Sequence, residues 1–464
     1  MKRRELKKTV LKRRKLRNKH LENKDMREKR SGIGIFSAVL ICSLVLLTAC
    51  NSVEDKLQGK NMKDGTTKED TIVEDTIEAD ITETVGSAEQ AESDMLLSSC
   101  TYVNREMYER ATAFREGDLT RIAAAMRKAL AGKKVVIGVI GGSITQGYSA
   151  SQNGSCYSTL IKKWWEDTFP DAEIEFINAG VGGTGSYLGV HRVYEDILSY
   201  KPDFVVVEFC VNDGNSFFYK KSYDNLVRRI LKQENKPAVV LLFMTMEDGT
   251  SAQDTEANIG FQYQLPMISY RNAVLEEIEK NNFAWEDISP DNIHPNDMGH
   301  AIAGELFSVF LTDICNRLET ISTEVAPFEM TAVTKEVYMD AMILDSKDIE
   351  PVERGDFEEK DVNSSFPDNW STKSGKGSIV FTVEAANIGI MYQKFSDGTG
   401  GQYEVYVDGE YKKTLGADFS NGWGEYSETA EIFVSEEKKE HTLEIRKKDG
   451  SNGEAFAILG LLIS

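Results

Sequence analysis

From Val135 onward, apolar and polar positions follow two successive rhythms. In the first, largely apolar runs are VVIGVI (Val135–Ile140), EIEFINA (Glu173–Ala179), FVVVEFCV (Phe204–Val211) and AVVLLFM (Ala238–Met244). Their length and β-branched content are those of strands buried on both faces. Between them, CYSTLIKKWWEDTF, YLGVHRVYEDILSY and YDNLVRRILKQ carry apolar residues at helical spacing, and ISYRNAVLEEIEKN and MGHAIAGELFSVFLTDICNRL follow. Strands alternating with helices predict an α/β unit whose mostly parallel sheet is covered on both faces. Reactive groups in such sheets gather at the carboxyl ends of the strands. Upstream, Asp118 is placed to cap a helix through LTRIAAAMRKALAG, with Gly132 as its stop.

After about Ile321 the rhythm shortens. VYMDAMIL, GSIVFTVEA, NIGIMYQKF, GQYEVYVDGEYKKTL, TAEIFV and HTLEIRK read as short strands parted by Gly, Asp, Asn and Ser. Asp408-Gly409 between two alternating runs is a strong hairpin signal. The pattern predicts a β-sandwich, jelly-roll-like, over residues 322–464, preceded by an α/β domain at 101–321.

The first hundred residues lack both rhythms. Fifteen Lys/Arg against four Asp/Glu in residues 1–30 precede the apolar run IGIFSAVLICSLVLLTAC, which makes residues 1–49 a leader with a signal or anchor segment. Leu47-Thr48-Ala49-Cys50 resembles the bacterial lipobox, which implies lipidation at Cys50; an uncleaved membrane helix is the alternative. Residues 50–100 are rich in Thr, Glu, Asp and Ser and read as a disordered acidic linker. Either anchor tethers the protein to the outer face of a bacterial membrane.

Composition excludes more than it identifies. Beyond residue 30 the chain holds 39 basic and 71 acidic side chains, a surface that repels polyphosphate and argues against a nucleic-acid partner. Without Cys42 and Cys50, the thiols Cys100, Cys156, Cys210 and Cys315 show no C-x-x-C spacing, so neither a zinc site nor a dithiol motif is supported.

Two glycine-rich turns follow strands. Gly180-Val-Gly-Gly-Thr-Gly185 fits a dinucleotide fingerprint, but the acid about twenty residues on, Asp203, precedes its strand rather than ending it. Gly141-Gly142-Ser143 lacks the Lys-Ser/Thr of a phosphate loop and instead presents a serine. A serine nucleophile needs a base and an orienting acid. Of five histidines, His20 lies in the leader, His441 in the β region and His191 within a helix. His300 falls inside the last helical pattern, where a packed role suits it. His294, in DNIHPND, has Asp291 three residues before it, which lets the acid accept from one ring nitrogen while the other faces the serine.

These blocks together resemble the SGNH (GDSL-type) hydrolases. Gly141-Gly-Ser143-Ile resembles the nucleophile block, Asn178-Ala-Gly-Val-Gly-Gly183 the block whose last glycine donates its amide, and Val205 to Asn212-Asp213 the block of the asparagine donor. Asp291-Asn-Ile-His294-Pro295 resembles the Asp-x-x-His-Pro block. The four stand in order over residues 135–318. The resemblance implies a three-layer α/β/α, flavodoxin-like domain and a triad of Ser143, His294 and Asp291. It also implies an oxyanion hole of the Ser143 amide, the Gly183 amide and the Asn212 side chain, with no metal or cofactor. The sequence departs from the family at Gly142, where aspartate is usual, and at Cys210 and Val211, where glycines are. The G-G-S-I-T form is closer to the carbohydrate-esterase branch than to the lipases.

An ester hydrolase on a secreted tether with a β-sandwich suits removal of O-acetyl groups from a polysaccharide. A lipase or other acyl-ester hydrolase acting on a small ester, and an O-acetyltransferase acting on envelope glycans, would use the same residues. A non-catalytic glycan-binding protein would not need them intact. Trp370, Trp423, Tyr403, Tyr406 and Tyr426 read equally as a sugar-stacking surface or as core and turn aromatics of the sandwich.

Overall fold

The computed structural model describes residues 95–464. The leader, Cys50 and the acidic tract as far as residue 94 lie outside the described residues. Order begins slightly ahead of Tyr102: residues 95–98 form a helical turn and Leu97 is buried.

Five parallel strands form the first sheet: β1 (Val135–Gly141), β2 (Ile174–Gly180), β3 (Phe204–Glu208), β4 (Ala238–Phe243) and β5 (Met267–Ser269). Their order is β2-β1-β3-β4-β5, so the winding reverses between β1 and β3, the crevice where such folds bind ligands. Successive residues serve opposite faces. Phe204, Val206, Val240 and Leu242 join one apolar core, while Val205, Val207, Val239 and Leu241 join the other. Each such side chain, removed from water, contributes about 1.5–3 kcal/mol. The unbroken apolar runs are thus explained by two buried faces. Strand β5 was hidden at the head of an expected helix: Met267–Ser269 pair with β4, and Ser269 then caps the helix by accepting from the Asn272 amide.

Helices cover the sheet. Those used below are α1 (Thr120–Leu130), α2 (Ser143–Gln146), α3 (Tyr157–Thr168), α4 (Ser186–Asp196), α5 (Phe217–Leu231) and α6 (Asp297–Asn316). Asp118 does serve the start of α1, its Oδ1 accepting from the Thr120 amide at 2.8 Å.

The C-terminal region is all β, its named strands pairing antiparallel. Two strands are longer than the sequence rhythm suggests. GSIVFTVEA and NIGIMYQKF form one strand, β6 (Ser378–Lys394), and TAEIFV and HTLEIRK lie in another, β7 (Tyr426–Lys447). Register shifts at Glu431/Phe433 and Val434/Lys439 absorb the polar interruption as bulges, so no turn is needed. Asp408 and Gly409 have φ of 54° and 77°, the left-handed pair that a tight hairpin requires.

This region is fused to the α/β unit through a shared core. Tyr338, Met391, Ala457, Leu459 and Leu462 pack into the same apolar cluster as Tyr187, Leu226 and Val207. Polar bonds reinforce the seam: Lys221 pairs with Glu431 at 2.7 Å, and Arg229 donates to the Ala341 carbonyl at 2.8 Å.

Candidate active site

Ser143 opens α2 directly beyond β1, with Gly142 between them. The turn is too tight for side chains on its glycines: a Cβ on Gly141 would overlap Thr145 Oγ1, and one on Gly142 would overlap Asn212 Oδ1. Arg192, buried in α4, fixes the strand ends by donating to the carbonyls of Gly141 at 2.9 Å and Ala179 at 2.6 Å. Ser143 is itself mostly buried, and its Oγ lies 2.9 Å from His294 Nε2.

The loop before α6 delivers that imidazole. Asp291 Oδ1 accepts from the amides of Ile293 at 2.8 Å and His294 at 2.7 Å, closing a local turn. Its other oxygen meets His294 Nδ1 at 2.8 Å. Trp285 Nε1 donates to the Asp291 carbonyl at 2.6 Å and ties the turn to the core. Partial desolvation acts to raise the Asp291 carboxyl, but the His294 and Ile293 amides and the imidazole more than offset it. Its pKa is held below the ordinary carboxylate value. Aspartate, histidine and serine thus form one hydrogen-bonded line, with an acceptor nitrogen available to the serine when Nδ1 carries the proton.

Gly183 and Asn212 reach the same place from β2 and β3. Gly183 has φ +70°, a conformation that favours glycine, and its predecessor's amide donates to Gln146 Oε1 at 2.9 Å. A Cβ on Gly182 would stand 3.8 Å from Ser143 Cβ. The amides of Ser143 and Gly183 have no backbone acceptor among the described residues. Asn212 Oδ1 is buried against Gly142 with no hydrogen-bond partner among the described residues. All five residues singled out by sequence are therefore assembled at the carboxyl ends of β1, β2 and β3 and the loop before α6.

The sequence reading missed the supports beneath them. Glu208 closes β3, fully buried, accepting from Thr145 Oγ1 at 2.9 Å; that hydroxyl also meets Tyr157 OH at 2.7 Å. Burial pushes its carboxyl up to about 7, despite the Thr145 hydroxyl and the Gly142 amide. A lone acid inside FVVVEFCV was the available signal. Asp213 is likewise pushed up to about 7 by burial, although its Oδ1 accepts from the Ser186 amide at 2.8 Å and anchors the start of α4. Asn178 donates to the Thr145 carbonyl at 2.8 Å and accepts from the Gly180 amide at 2.8 Å, stapling α2 to β2.

His191 and His300 are buried; desolvation lowers them to about 3 and about 4, so both are neutral packed residues. Cys100, Cys156, Cys210 and Cys315 are free thiols, and no metal-binding group of His, Cys, Asp and Glu occurs among the described residues.

The aromatics divide. Trp370 and Tyr403 are buried core residues, and Tyr406 lies under the Arg446 guanidinium at 4.2 Å. Trp423 is different: it is 71% exposed and stacks on Tyr426, with ring centroids 5.0 Å apart and planes 27° from parallel. A Cβ on Gly183 would stand 3.5 Å from Trp423 Cη2 and 3.6 Å from Tyr426 Cβ. The β region thus brings an open aromatic face to the edge of the α/β site. Tyr148, 58% exposed, leans on His294 with ring centroids 4.4 Å apart.

Residues 139–302 match the GDSL-like lipase/acylhydrolase family. The crystal structure of a two-domain esterase (CEX) active on acetylated mannans superposes with a TM-score of 0.71 at 33% identity, covering 77% of this chain and 98% of that one. The same esterase co-crystallised with mannopentaose gives 0.70 at 32%, covering 77% and 97%. Thioesterase 1/protease 1/lysophospholipase L1 of Escherichia coli K12 is 23% identical over 166 residues, 34% of this chain and 74% of that protein. The chain belongs to the GDSL-like lipase/acylhydrolase (SGNH) family, and it is a carboxylic ester hydrolase.

Proposed function

We propose that this protein removes O-acetyl groups from a polysaccharide outside a bacterial cell, with Ser143 as nucleophile, His294 as general base and acid, and Asp291 as the group that orients the imidazole. The observation that carries the carbohydrate assignment is the Trp423–Tyr426 stack against Gly183. An exposed flat aromatic face beside an ester-cleaving centre suits the apolar face of a sugar ring. The relative that acts on acetylated mannans supports the same reading. The leader and lipobox-like Leu47–Cys50 support the location.

His294 Nε2 takes the Ser143 proton as Oγ bonds to the acetyl carbon, and the carbonyl electrons move onto oxygen. The amides of Ser143 and Gly183 and the Asn212 side chain receive that charge, each contributing on the order of 3 kcal/mol to the barrier by comparison with single-donor deletions. The bond to the sugar oxygen then breaks, and the leaving alkoxide takes the proton from His294. Water, deprotonated by the same imidazole, releases acetate and restores Ser143. Asp291 stabilises the imidazolium in both halves.

Acetate release from acetylated mannan, xylan and peptidoglycan, beside esters of short and long acyl chains, tests the assignment. Release from a polysaccharide with little activity on long chains is expected. Preference for long acyl chains would replace it with a lipase.

A further inference from the structure

Tyr148 occupies an unusual position for an exposed aromatic. It follows α2 in a short loop whose flanking residues, Gly147 and Ser149, have φ of 96° and 66°. Hydrogen bonds to α2 and α6 hold this loop. The Tyr148 amide donates to the Ser143 carbonyl at 3.0 Å, and the Gly147 amide to the same carbonyl at 3.1 Å. His300 Nε2 lies 3.4 Å from the Tyr148 carbonyl, and the Ser151 amide donates to Asp297 Oδ1 at 2.8 Å. A backbone pinned this way, strained at Ser149, presents a ring that is mostly open to solvent. The ring leans on His294, at 4.4 Å between centroids and a tilt of 52°.

The two aromatic features stand beside different parts of the reaction centre. Trp423 and Tyr426 adjoin Gly183, on the side that receives the carbonyl oxygen. Tyr148 adjoins the imidazole, and the imidazole must hand its proton to the departing alcohol. The alcohol therefore leaves beside Tyr148.

We infer that Tyr148 is the specificity-determining wall of the leaving-group subsite, holding the sugar ring that carries the acetyl ester. This rests on the carbohydrate reading above. The chemistry separates this role from support of His294. The sugar is present while the acetyl-enzyme forms and is gone when water cleaves it, so Tyr148 acts on the first half only and in proportion to the size of the alcohol. Its contribution is stacking against the C–H face of a pyranose.

The test compares kcat/KM for an acetylated manno-oligosaccharide and for ethyl acetate, whose leaving alcohol is too small to reach across the ring. Wild type, Tyr148→Ala and Tyr148→Phe are measured as full chains. Tyr148→Ala is expected to lose about tenfold more on the sugar ester than on ethyl acetate, chiefly through KM, and Tyr148→Phe to keep the wild-type ratio. Equal losses on both substrates would overturn the inference while sparing the carbohydrate reading, because Tyr148 would then act only through His294. A wild type that cleaves ethyl acetate but no sugar ester would overturn both.

Discussion

Asn212 Oδ1 fills the space that a side chain on Gly142 would need. The residue before the proposed nucleophile and the proposed asparagine donor are therefore linked: glycine at 142 leaves room for the Asn212 side-chain oxygen beside the backbone. Alanine at 142 would bring its Cβ into overlap with Asn212 Oδ1, so the substitution displaces Asn212. Gly142→Ala is expected to lower kcat by roughly 10²-fold, the scale of losing one oxyanion donor. Steady-state kinetics beside a melting curve checks this. An unchanged kcat would detach Asn212 from the hole.

Glu208 offers a pH-dependent signature. Its carboxyl is raised from an ordinary 4.5 to about 7 by burial. Between those values the folded protein keeps a proton that the unfolded chain has released, so this group's contribution to stability falls as pH rises through that window. Glu208→Gln removes the titration while retaining an acceptor for Thr145. The melting temperature of the variant relative to wild type should climb between pH 5 and pH 8, by the equivalent of about 1–3 kcal/mol. A difference that does not vary with pH would show that Glu208 is already ionised in the acid range.

Asp291 should respond in the opposite sense, since its folded pKa lies below the ordinary value. Its contribution to stability is present above the unfolded value and is lost as pH falls through the folded one. In Asp291→Asn the imidazole loses both its orientation and its counter-charge. A decrease in kcat of about 10³–10⁴-fold with KM little changed is expected from the triad precedent. A decrease below tenfold would leave His294 oriented by other groups.

The Trp423 face, on the Gly183 side of the centre, should matter where the alcohol is a polymer that extends past the Tyr148 subsite. Because this side chain is 71% exposed, Trp423→Ala should fold normally. Its kcat/KM should fall roughly tenfold further on an acetylated polysaccharide than on ethyl acetate. Equal effects on both would reduce the stack to a packing element beside Gly183.

Much of this site was legible in the chain because its pieces are local. Asp291 and His294 belong to one turn, and Ser143, Gly183 and Asn212 each follow an apolar strand. Ordering the strands by the parallel-sheet rule then brings those ends together. What escaped has no local signature. Trp423 and Gly183 are 240 residues apart in sequence, and nothing near either residue indicates that the β region shares a core with α4 and α5. The long strand β7 reads as two because polar residues such as Ser435–Glu437 mimic a turn, whereas bulges accommodate them within the sheet. Glu208 escapes because hydrophobic periodicity registers an isolated acid as noise, although its burial against Gly142 and Thr145 makes it part of the support beneath Ser143.

Acetate released from acetylated mannan by the full chain, compared with its Ser143→Ala variant, bears most directly on the assignment. The wild type should release acetate. The variant should retain the wild-type melting curve and lose activity by about 10⁴-fold or more, the cost of removing a nucleophile that acts with its base as a unit. Undiminished acetate release by folded Ser143→Ala would contradict the acyl-enzyme mechanism proposed for this site.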